Sequence, residues 1–249
     1  MILARLSRAI RQQNWFAVAL EFVIVIAGVV IGFQVTEWAS ARAEAERRAV
    51  ALDRLHDEVE DAVSTLQRLV NIYDELNANR TQAIEHIANG DLEALDNDDM
   101  VSAVVSTSLF PAFSPRQGVY TEIVSSGMLS NLGDESFRDA LGDYQASVSF
   151  LQGQIEYFRS IAVAREDVMD LDYTWLEYAP GTYRERIHVI DWEAALADPE
   201  FLQRLLAGNN AMRAMTTWWQ NTLASAEALC AETGRLTGRA CEAPEEPSE

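Results

Sequence analysis

The sequence predicts an all-α protein with one N-terminal transmembrane helix, a long heptad helix and an extramembrane helical bundle. Three observations support this fold class. An apolar run covers residues 16–33 and is interrupted only by Glu21. Neither glycine nor proline occurs between the end of that run and Gly90, so a long helix can follow it without a break. Two later stretches, 134–171 and 208–229, repeat apolar residues at helical spacing.

The apolar run has the length and the flanking residues of a membrane span. Trp15 and Trp38 bracket it, 23 residues apart, which corresponds to about 34 Å along a helix. A hydrocarbon core is about 30 Å thick, and aromatic side chains are enriched at its two interfaces. We therefore predict a transmembrane helix over residues 15–38, with Trp15 and Trp38 as interface anchors against membrane lipid.

A cleaved signal peptide is the alternative interpretation of the same region. Arg5, Arg8 and Arg11 form a basic stretch before the run, and Ala39-Ser40-Ala41 matches a cleavage pattern. The run is longer than the apolar part of a signal peptide, and it contains an acid. We favour a retained anchor.

One face of the predicted span carries an acid and two glycines. Glu21, Gly28 and Gly32 are separated by seven and four residues, which places them on one side of a helix. Gly28 and Gly32 form a G-x-x-x-G motif, which lets two membrane helices approach closely. Acids within spans usually face a helix interface or a cavity. We predict a helix-packing face, while a protonated or hydrated surface acid and a proton pathway stay open.

The segment after the span carries an unbroken heptad series, which we call the seam. Its members alternate in steps of three and four, as in a coiled coil or a helical bundle. The seam consists of Leu52, Leu55, Val59, Ala62, Leu66, Leu69, Tyr73 and Leu76. Such a pattern packs either between chains or inside one chain, and we favour a bundle within the chain. Asn89-Gly90 is the predicted end of this helix.

Aspartates precede several of the remaining predicted helices. Asp98, Asp134, Asp191 and Asp198 are the predicted N-caps, and Asp98 would open a short helix that ends at Leu109. The last helix carries a stripe that we interpret as core rather than as a cofactor pocket. The stripe consists of Met212, Met215, Trp219, Thr222, Ala226 and Leu229.

Charge and cysteines favour an exported domain. Arginines flank the span on both sides, so their count alone does not orient it. Cys230 and Cys241 are close enough in sequence for a disulfide, which contributes roughly 3 kcal/mol in an oxidising compartment. We predict a bacterial inner-membrane protein with a cytoplasmic basic amphipathic segment (residues 1–14), a periplasmic helical domain (39–241) and a disordered acidic tail (242–249).

The sequence contains no recognisable catalytic or metal-binding signature. Its formal net charge of −20 opposes the binding of nucleic acid, whose partners need basic patches. His56, His86 and His188 belong to no zinc pattern. We expect no enzyme activity, no cofactor and no nucleic-acid partner.

Three stretches of the chain are similar to the corresponding stretches of a known family. They are QNWFAVALEFVIVIAGVVIGFQVTEW, VYTEIVSSGMLSNLGDESFRDALGDY and DWEAALADPEFLQRLL. Together they resemble a bacterial domain-of-unknown-function family of single-span inner-membrane proteins, with N-W, an acid, a G-x-x-x-G-like run and Q-V-x-x-W in the anchor. The family's Y-x-E-(L/I)-x-S-x-G segment fits residues 120–127. The resemblance covers about residues 5–206 and implies a retained span, but no activity.

Two functional hypotheses follow from this organisation. The first is a membrane-anchored protein that acts by binding or scaffolding, with its span and first long helix assembling with copies of itself or with a membrane-protein partner. The alternative is a periplasmic bundle that senses a small ligand and signals through a partner.

We predict that the mature protein keeps its N-terminus, because an acid-bearing span of this length is not a typical cleaved segment. Intact-mass measurement on protein extracted from membranes checks this. A mass that begins at Arg42 would contradict the anchor.

Overall fold

The computed structural model describes residues 15–108, 110–164, 176–178 and 188–241. The predicted cytoplasmic segment and acidic tail lie outside these ranges. Within them the helices are α1 (Trp15–Asn89), α2 (Asp98–Val105), α3 (Gly118–Ser125), α4 (Glu135–Ala164), α5 (Trp192–Ala197) and α6 (Phe201–Thr237). Short 3₁₀ turns cover Glu93–Leu95, Ser106–Ser108 and Met128–Asn131, and two strands cover Leu176–Tyr178 (β1) and His188–Ile190 (β2).

The predicted all-α class is confirmed, with one addition. The described strands pair antiparallel, with Leu176 opposite Ile190 and Tyr178 opposite His188. The predicted span and the predicted heptad helix form one continuous helix, α1. This helix contains the one segment of the described chain that is long and apolar enough to cross a membrane.

The chain divides into two compact units between Val50 and Ala51. In the first unit, the described part of α1 has nearly all of its side chains exposed. The second unit holds the remaining part of α1 and every other described element. Both hydrophobic cores of the described chain lie in this unit.

The main core of the second unit combines apolar stripes from α1, α4 and α6. On α1 the seam residues Leu55, Val59, Ala62, Leu66 and Tyr73 are buried within the chain, while Leu52, Leu69 and Leu76 are partly buried. All six members of the predicted α6 stripe are buried. The Tyr73 and Trp219 rings, one from each helix, lie 4.6 Å apart. The α4 stripe consists of Phe137, Leu141, Tyr144, Val148, Leu151 and Ile155.

A second, smaller core lies where the C-terminal end of α1 meets the short elements. It brings together residues from the end of α1, from α2, β2 and α5, and from the start of α6. Its buried members are Ala83, Leu95, Met100, Val101, Val104, Ile190, Trp192, Ala195, Phe201 and Leu205. The short elements therefore have a core of their own.

Two of the four predicted N-caps are placed by the structure as expected. Asp134 accepts a hydrogen bond from the Phe137 amide at 3.1 Å, and Asp191 accepts one from the Ala194 amide at 3.0 Å. The Phe137 amide, followed by the Arg235 guanidinium, lowers the pKa of Asp134 below its ordinary value.

The other two predicted caps are wrong. Asn97, not Asp98, caps α2, because Asn97 has the extended backbone of an N-cap and accepts from the Asp99 amide at 2.8 Å. The α-helix then ends at Val105 and continues as a 3₁₀ turn. Helix α6 begins at Phe201, since Asp198 accepts from the Glu200 amide at 2.9 Å and forms a turn before the helix.

Helix α1 ends where the sequence predicts. Gly90 has φ of +72°, a left-handed conformation that glycine adopts without a steric penalty. The Asp91 amide donates to the His86 carbonyl at 3.0 Å, which satisfies one of the last carbonyls of the helix.

Gly208 allows the close approach of α6 to the 3₁₀ turn at Ser106–Ser108. A Cβ atom at position 208 would lie 1.9 Å from Cγ2 of Thr107 and 3.4 Å from its carbonyl oxygen. Thr107 is buried, so its side chain has little room to move away. Only glycine therefore fits this contact.

We predict that Gly208→Ala lowers the free energy of unfolding by about 1–3 kcal/mol through overpacking. Denaturant unfolding of the full chain in detergent, followed by tryptophan fluorescence, measures the change. The matched control is Gly142→Ala in α4, where an added Cβ meets nothing within 4 Å; it should be neutral or stabilise by about 0.5–1 kcal/mol. Thr107→Ala, which removes Cγ2, should recover part of the loss in the Gly208→Ala background. Equal effects of the two glycine changes would contradict the packing account.

Candidate functional site

The predicted helix-packing face of the span is open within the described chain. Side chains from Leu20 to Val35 are exposed to more than a third of their surface. A Cβ atom built at Gly28 or Gly32 meets no other atom within 4 Å. Glu21 is exposed on the same side of the helix, seven residues before Gly28. Nothing in the described chain covers this face.

The two predicted interface anchors differ in what the structure shows. The Trp15 side chain lies outside the described residues. Trp38 is 64 % exposed, and the Arg42 guanidinium lies 5.8 Å from the centre of its ring. The Arg42 Nε atom also lies 3.2 Å from Glu46 Oε1. An exposed tryptophan beside an arginine is typical of the end of a span, where aromatic and basic side chains reach polar headgroups.

The predicted seam is a packing surface inside the chain. Leu55, Val59 and Leu66 are each at most 2 % exposed and belong to the main core. The described fold therefore leaves the centre of the seam no apolar surface for a second chain. The predicted residues of the span face are therefore exposed in the described chain, whereas those of the seam pack in its core.

A fully buried arginine was missed by the sequence analysis. The Nε atom of Arg80 donates to the Ala103 carbonyl at 2.8 Å, and its two terminal nitrogens donate to Asn77 Oδ1 at 2.8 Å and to Ser106 Oγ at 3.0 Å. The accepting carbonyl lies near the C-terminal end of α2, where the helix dipole favours a cation. Burial lowers the pKa of Arg80 to about 10. Its place four residues after Leu76, at the end of the seam, is the signal that predicts an inward position.

A second buried polar cluster lies at the C-terminus, and we call it the clasp. The structure joins Cys230 and Cys241 by a disulfide, with Cα atoms 5.7 Å apart. His56 of α1 is fully buried beneath it. The His56 Nδ1 atom lies 2.8 Å from Thr233 Oγ1, and its Nε2 atom lies 3.2 Å from the Ala240 carbonyl.

Charged side chains surround the clasp. Arg239 donates to Asp57 Oδ1 at 2.6 Å and to Glu60 Oε2 at 3.0 Å. The other oxygen of Glu60, Oε1, lies 3.3 Å from His56 Nε2. The contacts that Ala240 and Arg239 make with α1 join positions about 180 residues apart in the chain, which explains why sequence spacing gave no sign of the cluster.

The segment that carries the Y-x-E-I-x-S-x-G pattern forms α3 and its C-terminal turn. Glu58 of α1 accepts a hydrogen bond from the Val119 amide at 2.9 Å, so a side chain of another helix caps α3. Glu122 pairs with Arg54 at 2.9 Å, and Ile123 is buried. Gly127, with φ of +72°, ends the segment. The contacts of this segment therefore hold α3 against α1.

Two surface pockets lie on either side of the segment at residues 112–115. One, of about 310 Å³, borders α1 and is lined in part by Thr65, Arg68 and Arg116. The other, of about 370 Å³, borders α4 and is lined in part by Gln152 and Arg159. The pocket beside α1 includes one residue that the sequence analysis selected, Ala62 of the seam, and the pocket beside α4 includes none.

A family model matches residues 21–152, which is more than half of the chain. The chain belongs to the family of unknown function DUF6090. The predicted resemblance to a family of unknown function is thereby confirmed, and the single span and anchor motif that we associated with it stay predictions. No curated protein and no solved structure matches the chain.

The DUF6090 match begins at Glu21 and extends into α4. It includes the span face, the seam, Arg80 and its partners, and the α3 segment docked by Glu58. The cysteines and Arg239 of the clasp lie beyond it. The matched region therefore contains the open face together with the packing that holds α2 and α3 on α1.

We predict that Arg80→Lys lowers the free energy of unfolding by at least about 2 kcal/mol, because an ammonium group cannot donate in the three directions that the guanidinium serves. Denaturant unfolding of the full chain in detergent measures this change. Arg213→Lys on the exposed side of α6 is the matched control, and its effect should stay within about 0.5 kcal/mol. A silent Arg80→Lys would contradict the proposed role of these hydrogen bonds.

Proposed function

We propose that this DUF6090 protein is a membrane-anchored scaffold whose span binds a second membrane helix, from another copy or from a membrane-protein partner. The observation that carries the proposal is the open face of α1. Glu21, Gly28 and Gly32 lie on one side of a helix that is apolar enough to span a membrane, and no described residue covers them.

The chemistry of this face favours a helix partner over lipid alone. A carboxyl group in hydrocarbon lacks a hydrogen-bond donor, and a facing helix can supply one. The two glycines let the backbones approach and gain van der Waals contact. An interhelical hydrogen bond contributes only on the order of 0.6–2 kcal/mol in membranes. Close backbone approach at the glycines is therefore the larger expected contribution.

Only the part of α1 that precedes the core, up to Val50, contributes to this role. The side chains of residues 36–50 are almost all exposed, whereas the seam beyond Ala51 packs inside the chain. A partner helix therefore binds along the N-terminal part of α1. The rest of the chain forms a folded domain that continues from that part.

We place the protein in the bacterial inner membrane as a single-pass protein, with the N-terminus in the cytoplasm and the folded domain in the periplasm. The clasp disulfide supports this placement, because disulfides persist in oxidising compartments. The net charge of −20 opposes nucleic acid as a partner. The proposed role is binding without enzyme activity or a cofactor.

A periplasmic small-ligand sensor is the second candidate, and the pocket beside α1 favours it. Three hydroxyl-bearing residues, Ser64, Thr65 and Ser114, line this pocket together with Arg68 and Arg116. Arg116 pairs with Asp61 at 2.9 Å at the same site. Such a lining suits a small anionic ligand, and its signal would pass to a partner through α1.

We predict that Gly28→Ile or Gly32→Ile strongly weakens association of the span, because a branched side chain separates the two backbones. A membrane two-hybrid assay of residues 1–50, backed by crosslinking of the full chain in native membranes, measures association. Ala27→Ile adds a larger side chain about 120° around the helix from the midpoint of the two glycines and is the matched control; it should have little effect.

The role of the acid is separable from that of the glycines. Glu21→Gln keeps hydrogen bonding and removes the charge, so it should leave association nearly unchanged if the face serves packing. If Glu21→Gln abolishes association while both glycine changes are tolerated, the packing proposal is wrong. A proton or ion pathway would then be the better interpretation of Glu21.

A further inference from the structure

The clasp gathers the donor atoms of a metal site around a disulfide. One donor atom each from His56, Glu60 and Cys230 lies within 4.8 Å of the others. The sulfur of Cys241 is bonded to that of Cys230. These four side chains offer one imidazole, one carboxylate and two sulfurs, a set that matches the ligand types and the number of a tetrahedral zinc site.

We propose that reduction of the Cys230–Cys241 disulfide converts the clasp into a zinc site formed by His56, Glu60, Cys230 and Cys241. The site goes beyond the proposed scaffolding role and does not depend on it. Zinc then replaces the disulfide as the link between the end of α6 and the segment that follows it. The clasp thus has two closed states, one oxidised and one metal-bound.

The Nδ1 side of His56 already has the arrangement that a zinc ligand needs. Metal-binding histidines usually donate their second ring N–H to a neighbouring group, which fixes the ring and the tautomer. With Nδ1 protonated, His56 donates to Thr233 Oγ1 at 2.8 Å, and the Thr233 hydroxyl in turn donates to the Cys230 carbonyl at 3.0 Å. The Nε2 atom then carries the lone pair for zinc, and in the oxidised clasp it lies 3.2 Å from the Ala240 carbonyl and 3.3 Å from Glu60 Oε1. The Ala240 carbonyl therefore has to move away together with Cys241 when zinc binds.

Glu60 is held in a position for single-oxygen coordination. Its Oε2 atom accepts from Arg239 at 3.0 Å, while Oε1 lies next to His56. Two thiolates and one carboxylate around Zn²⁺ leave one net negative charge. The Arg239 guanidinium lies between Glu60 and Asp57 and offsets part of that charge.

The conversion balances in electrons and protons. An external dithiol is oxidised to a disulfide and transfers two electrons and two protons to the Cys230–Cys241 bond, which breaks into two thiols. Zinc binding then replaces the two thiol protons, which are released to solvent, and two Zn–S bonds form. The sulfur atoms must separate from bonding distance to the edge of a coordination tetrahedron. Cys241 is exposed and lies beyond the end of α6, so it is the residue that moves.

The test compares oxidised and phosphine-reduced full-length protein in detergent under anaerobic conditions. Each sample is incubated with ZnCl₂ and desalted, and bound zinc is measured by mass spectrometry. We expect the reduced protein to retain one zinc ion per chain and the oxidised protein to retain none. Cobalt(II) added in place of zinc should give a thiolate-to-metal charge-transfer band and the visible absorption of a tetrahedral site in the reduced protein alone.

The variants separate a four-ligand site from two free thiols. Cys230→Ser and Cys241→Ser should each lose stoichiometric zinc, and His56→Gln and Glu60→Gln should weaken binding and shift the cobalt spectrum. Because His56 is buried, Glu60→Gln at a partly exposed position keeps the test valid if His56→Gln fails to fold. His86→Gln is the matched control. His86 Nδ1 lies 3.2 Å from Asp91 Oδ2, and His86 is not part of the clasp. Failure of the reduced protein to retain zinc, or an unchanged cobalt spectrum in Glu60→Gln, overturns the proposal.

Discussion

Burial of the apolar stripe of α1 against the stripes of α4 and α6 is the interaction on which the folded unit depends. Each fully buried side chain of Leu66 type contributes about 1.5–3 kcal/mol by removal from water. The Tyr73–Trp219 contact joins α1 directly to α6. Because α1 also contains the predicted span, the same helix carries both the core and the open face. Loss of this packing would therefore also disrupt the attachment of α2 and α3 to α1.

Polar contacts fix this packing at both ends of the core. At one end Arg80 joins α1 to α2 and to the 3₁₀ turn, and Asn77 donates to Thr216 of α6 at 2.8 Å. At the other end the clasp holds the C-terminal segment over His56. An apolar stripe alone tolerates sliding of one helix along another, whereas directional hydrogen bonds at two distant points allow one register.

Much of the fold was predictable because helices follow local rules. The end of α1 at Gly90 depends on one glycine with positive φ, and the Asp134 and Asp191 caps depend on residues three positions away. The two incorrect caps were also local problems: Asn97 took the amide of α2 that Asp98 was predicted to cap, and Asp198 formed a turn before α6 began. The candidate site was predictable only in part. The span face follows from spacing alone, but Arg80 bonds to Ala103, 23 positions away, and His56 of the clasp contacts Ala240, 184 positions away.

The sequence by itself determined the fold class, the membership in a family of unknown function and the stripes that form the core, because helical periodicity and chain composition are properties of neighbouring residues. Only the tertiary structure decided what those stripes face. It placed the seam inside the chain, left Gly28 and Gly32 uncovered, and brought His56 and Glu60 to the cysteines. The physical reason is that a heptad pattern states that a surface is apolar, whereas its partner depends on which other surfaces the folded chain brings within contact distance.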